Sequence, residues 1–207
     1  MSDTTAQTAR RLAATGLEPQ LGEAQGAGAA RPSGGESTPR SKESAMEAWI
    51  QWMLRPGTGA PKSTVWLRLM AGWVFFWEGV IKFVFANQGV GRFTKLGMPM
   101  PEMLAPAIAV LEIVGGVALI AGFLTRPFAL LFIGEMIVAI VSTKISMYLG
   151  TSPLALPPVP PQTGFWAVMH EWRSDIAQLA CSLFLLLEGP GPWSVDAWRA
   201  SKRASRR

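Results

Sequence analysis

Glu78 and Lys82 stand four residues apart inside the apolar and aromatic run FFWEGVIKFVF at 75–85. On a helix turning about 100° per residue they lie about 40° apart, in the favourable acid-before-base order. Arg68 falls within about 80° of both, and Gly72 and Gly79 share that side. Trp66, Trp73, Trp77, Val80 and Val84 occupy the opposite side. Other apolar stretches repeat the pattern. Glu112 shares a face with Ala105, Ala109, Gly115, Gly116 and Leu119, and Glu135 aligns with Ala139, Ser142 and Ser146. Glu171, Asp175, Gln178 and Ser182 make one polar stripe.

A charge deep in lipid costs about 2.5–3.5 kcal/mol even on the lenient insertion scale, so such groups face protein or water. Glycines beside them let a neighbouring helix approach closely. Counting the helical rise puts Glu78 and Glu112 about 12 Å, and Asp175 about 10 Å, below one membrane surface. Glu78, Lys82, Glu112 and Asp175 are therefore expected to meet in the outer half of a bundle. Arg68 and Glu135 form a second, deeper polar layer, and Gly72, Gly79, Gly115 and Gly116 supply the helix packing. Two kinds of chemistry fit. One is a polar pocket for a quinone head group, a proton or another small ligand, where a surplus acid exchanges protons. The other is a buried ion-pair network that only fixes helix register.

These residues need spans to position them. Of 207 residues, 49% are hydrophobic and 16% charged, and mean hydropathy is positive although the first sixty residues are polar. Four apolar segments, 64–86, 104–124, 127–147 and 168–188, are long enough to cross a bilayer at about 1.5 Å per residue. Only Thr125 and Arg126 separate the second and third, which forces an antiparallel hairpin. The expectation is an all-α, integral membrane four-helix bundle, up-down-up-down, over 61–193. Residues 1–60 read as a disordered cytoplasmic tail, rich in Gly, Ala, Ser, Thr and Pro, with an interfacial helix at 44–55. Residues 194–207 read as a basic cytoplasmic tail.

The net charge of +5 does not signal nucleic acid, because the basic residues cluster in the tails that flank the apolar spans. Seven Lys or Arg precede the first span, Arg126 sits in the tight turn, and five follow position 198. The positive-inside rule then places both termini in the cytoplasm. One cysteine, Cys181, and one histidine, His170, cannot build a His/Cys zinc site, a disulfide or bis-His haem ligation. No metal or intrinsic cofactor is expected. Redox chemistry would need a diffusible molecule such as quinone, or a partner's cofactor. His170 reads as an interfacial polar residue or a proton-uptake point, and Cys181 as a small buried apolar one.

Three pieces of the chain resemble the DoxX family of small bacterial membrane proteins: LRLMAGWVFFWEGVIKF (67–83), LGMPMPEMLAPAIAVLEIVGGVALIAGFLTRPFALLF (96–132) and LLLEGPGPWSVDAW (185–198). The Gly-x-x-Lys ending at Lys82 and the Glu-x-x-Gly-Gly starting at Glu112 are its most specific parts. Where such proteins often carry His, this chain has Glu78. The resemblance implies a four-helix bacterial inner-membrane protein, similar to the small subunit of thiosulfate:quinone oxidoreductase or to partners of oxidative and thiol-stress enzymes. It implies an accessory subunit, not catalytic alone, with membrane lipid and a redox enzyme as partners. The competing expectations are a structural or assembly membrane protein and a small proton or solute transporter.

Overall fold

The computed structural model describes residues 40–54 and 59–206. The chain divides into two units, Met1–Ser41 and Lys42–Arg207, and of the first only the start of one helix is described. The tail expected to be disordered therefore lies largely outside the described residues, as does the linker 55–58. Among the described residues the structure is all-helical, with α1 (Arg40–Leu54), α2 (Thr64–Val84), α3 (Val90–Lys95), α4 (Pro101–Ala121), α5 (Thr125–Tyr148), α6 (Gly164–Glu171), α7 (Arg173–Glu188) and α8 (Val195–Ala204).

Local sequence explains the main boundaries. Pro101 opens α4, where a missing N–H costs nothing, and Glu102 complements the positive helix start. Gly122 ends α4 in a left-handed conformation, φ 69°, and its N–H bonds the Leu119 carbonyl. Three residues later α5 has begun, so the two helices form the hairpin that the short joint requires.

Helices α2 and α4 pack along their length through their glycines. A Cβ on Gly72 would stand 2.5 Å from the Gly116 carbonyl oxygen, and one on Gly116 would stand 2.7 Å from the Gly72 carbonyl oxygen. One on Gly79 would meet the Ala109 carbonyl oxygen at 2.6 Å and the Glu112 Cβ at 2.9 Å. Gly115 faces α5 instead, where Phe128 and Phe132 fill the space a side chain would need. Helix α7 packs chiefly on α5. All four helices contribute to one apolar core of Ala71, Phe75, Leu119, Ala129, Phe132 and Leu185. At its centre the Phe75 and Phe132 rings stack with centroids 3.7 Å apart.

Helices α4 and α5 are long and apolar enough to cross a membrane, with mean hydropathies of 2.3 and 2.0. Trp66, Trp73, Trp77, Val114, Val117, Ile137, Val138 and Val141 all point outward. An apolar exterior of this extent suits lipid rather than water.

One expectation needs correction. The fourth segment, 168–188, is divided at Trp172 into α6 and α7. At the break the Lys144 ammonium donates to the Glu171 carbonyl at 3.1 Å, so an α5 side chain claims an acceptor at the joint. The basic segment 194–207 carries α8, whose first turn is capped by the Ser194 hydroxyl accepting from the Ala197 N–H at 3.1 Å.

Candidate functional site: a buried lysine among carboxyl groups

Lys82 lies in the last turn of α2, and its side chain runs back along the helix, as helical side chains do. Its ammonium reaches Glu112 Oε1 on α4 at 2.7 Å and the Glu78 carbonyl oxygen at 3.3 Å. The Glu78 carboxylate is farther, at 3.9 Å. Gly79 makes the Lys82–Glu112 contact feasible, because it lets α4 approach at the level of Ala109 and Glu112. The Glu112 side chain is 2% exposed, yet its Oε2 has no hydrogen-bond partner among the described residues. An ionised carboxylate is an acceptor only.

Glu135 on α5 lies close to Glu112. Its Oε2 also lacks a partner. Helix α7 adds Gln178 and Ser182, both buried, whose Oε1 and Oγ are unpartnered too. Ser182 lies one turn from the core residue Leu185, about 4.5 Å along the axis, and Gln178 about 6 Å beyond it. The interior above the Phe75–Phe132 stack thus carries a polar layer of carboxyl, ammonium, amide and hydroxyl groups.

The remaining expected site residues divide. Glu78 belongs to the Lys82 cluster, but its side chain is 58% exposed rather than turned inward. It sits about 100° round the helix from Gly79, on the rim of the α2–α4 contact. Asp175 does not pair with Lys82. It meets Lys144 of α5 at 3.1 Å, a second ion pair that joins α5 to α7. Arg68 and Glu135 do not form a shared second layer. Arg68 points the other way, donating to the carbonyls of Pro190, at 2.9 Å, and Trp193. Ten residues separate it from Glu78, about 15 Å along α2.

That region, the near end of the domain, holds two residues whose roles were not legible beforehand. Arg126 donates from Nε to the Leu186 carbonyl, from one terminal nitrogen to the Leu187 carbonyl and from the other to the Trp52 carbonyl, at 3.0, 3.0 and 2.8 Å. It also lies 4.5 Å from the Trp52 ring centroid. Asp196 accepts from the N–H groups of Leu124 and Thr125 at 3.2 and 3.3 Å, and so caps α5. An arginine in a two-residue turn between apolar spans was the available signal for the first. Nothing local in the sequence signals the second.

His170 sits against Arg173, its Nε2 3.1 Å from the guanidinium, at the far end of the domain. Cys181 is a free thiol beside the apolar core. Among the described residues no three metal-ligating side chains converge.

The DoxX family model matches residues 63–145. An uncharacterized membrane protein of Mycobacterium tuberculosis, Rv3486, is 37% identical over 163 residues, which cover 78% of this chain and 94% of that protein. The chain belongs to the DoxX family. It is a membrane protein, as its family and its apolar exterior agree. The matched DoxX segment contains Arg68, Glu78, Lys82, Glu112 and Glu135, and ends before Asp175. A Bacillus subtilis protein named "Putative oxidoreductase CatD" is 34% identical over 82 residues, 40% of this chain and 60% of that protein. No solved structure matches the chain.

Proposed function

We infer that this DoxX protein is an accessory membrane subunit of a quinone-linked oxidoreductase or thiol-stress system, with Lys82, Glu112 and Glu135 holding a quinone head group or exchanging protons. The reading includes a four-span, up-down-up-down bundle in the bacterial inner membrane with both termini cytoplasmic. The asymmetry of Lys and Arg supports that orientation.

The observation that carries the reading is Glu112. A buried carboxylate paired through one oxygen and unpartnered through the other costs free energy unless something meets it. Lys82 offers an ammonium donor suited to a quinone carbonyl. Glu112 and Glu135 offer carboxyl groups able to give or take the protons that accompany quinone reduction. Exposed Glu78, beside Lys82, supplies a polar edge to the cluster. A bound quinone would carry the electrons and a partner enzyme would deliver them, while this chain's residues position the head group and handle protons. The name of the Bacillus relative favours a redox association.

Trp fluorescence of the purified protein in nanodiscs, titrated with a soluble quinone analogue, tests the reading. Saturable quenching that Glu112→Gln weakens at least tenfold is the expected result. If quenching is absent and Glu112→Gln moves only the melting temperature, the charges merely lock the helices. A proton leak into liposomes abolished by the same substitution would instead make the protein a transporter.

A further inference from the structure

A second cluster of ionisable groups lies outside the polar layer, on α8. Over one turn and a half this helix presents Arg199, Lys202 and Arg203, followed by Arg206, and with Trp198 they line a cavity of about 230 Å³. Among the described residues none of these four cations has a carboxylate partner, since the ion pairs there belong to Lys82 and Lys144. Like charges crowded on one short helix repel, so an anion bound among them would be favoured.

The level of the helix is fixed. Asp196 accepts from the N–H groups at the start of α5, its own N–H donates to the Gly122 carbonyl at 3.0 Å, and Arg68 holds the Trp193 carbonyl below it. The first turn of α8 therefore lies within one hydrogen bond of the ends of α4 and α5, the two helices long and apolar enough to cross the bilayer. A helix that spans the hydrocarbon core ends at the headgroup level, where lipid phosphates lie. The aromatic groups match the same depth. Trp193 and Trp198 are exposed, with Lys202 Nζ 4.0 Å from the Trp198 ring centroid, and tryptophan concentrates where bilayer meets water. Arg199 stacks 4.9 Å from the Phe123 ring centroid, which orients its guanidinium at the α4–α5 turn.

We propose that Trp198, Arg199, Lys202, Arg203 and Arg206 form a binding site for the phosphate of an anionic phospholipid. The guanidinium groups take the phosphate oxygens, for which their planar fork is suited, and Trp198 lies against the glycerol and upper acyl region. The site makes α8 a lipid-reading element rather than a generic basic tail.

Native mass spectrometry of the full chain, extracted from nanodiscs of phosphatidylcholine with and without phosphatidylglycerol, tests this. Wild type is expected to retain phosphatidylglycerol selectively. Replacing Arg199, Lys202, Arg203 and Arg206 together by Gln is expected to cut retention about tenfold or more, whereas replacing the three arginines by Lys, which keeps the charge but loses the fork, is expected to cause a smaller loss. Arg203→Gln with Arg206→Gln, which spares the Phe123 contact, guards against misfolding and is expected to show an intermediate loss. Equal retention by wild type and the four-Gln variant would overturn the proposal, as would equal retention of phosphatidylcholine. Displacement of the lipid by millimolar inorganic phosphate would also overturn it, because the site would then be one for the free anion.

Discussion

At the near end of the molecule Arg68 and Arg126 give their guanidinium N–H groups to main-chain carbonyls of α7, of the 189–194 loop and of α1. In the interior Lys82 gives its ammonium to a side-chain carboxylate, and the carboxyl groups around it keep oxygens to spare. Both regions bury charge in a protein that faces lipid, but they solve different problems. A backbone carbonyl cannot be titrated, so the near end is a fixed latch. Among its guanidinium nitrogens only Arg68 Nε is left over. A carboxyl group can accept a proton, so the interior layer has more than one chemical state. The comparison teaches that burial of a charge is not by itself a sign of function. What distinguishes the two regions is whether the partner groups are used up.

Substitutions can break that contrast. The largest effect is expected for Lys82→Met, which strands Glu112, and about 3–5 kcal/mol of stability should be lost in an unfolding titration in bicelles. Adding Glu112→Leu should return most of it, because a pair replaced by apolar groups is often neutral. If the double substitution stays as unstable as the single one, the Lys82–Glu112 pair is not the unit described. Arg68→Met should cost about 2–4 kcal/mol by the same assay, since two carbonyls lose charged donors, and no second substitution nearby should rescue it. Gly116→Ala should cost about 1–3 kcal/mol by pushing α4 from the Gly72 carbonyl. A smaller value would mean that the helices slide apart easily. Lys144→Met should cost about 1 kcal/mol, because its pair with Asp175 joins helices that are already packed, and quinone-analogue binding should be unchanged. Loss of that binding would extend the site to Asp175.

The parts of this arrangement legible in the sequence are those governed by one helix at a time. A period of 3.6 residues places Gly72 and Gly79 on one face and Glu112 with Gly116 on another, and the structure packs those faces together. The same reasoning could not say how wide the contact would be. The narrow glycine crossing buries Gly79 and leaves Glu78, about 100° away, on its rim. Nor could it choose among partners on different helices. Lys144 meets Asp175 and the Glu171 carbonyl, two partners on other helices, where it accompanies the break between α6 and α7. The Asp196 cap is the extreme case. Its partners lie 71 and 72 residues earlier, and only assembly of the whole domain brings them to it.

The Arg68 latch has a consequence for biosynthesis. Its carbonyl partners follow it by 122 and 125 residues in the chain, so α2 leaves the ribosome and meets the translocon long before either exists. During that interval the guanidinium has only water, lipid phosphate or a chaperone to answer it. A nascent chain arrested before Pro190 would carry an arginine without these two carbonyls.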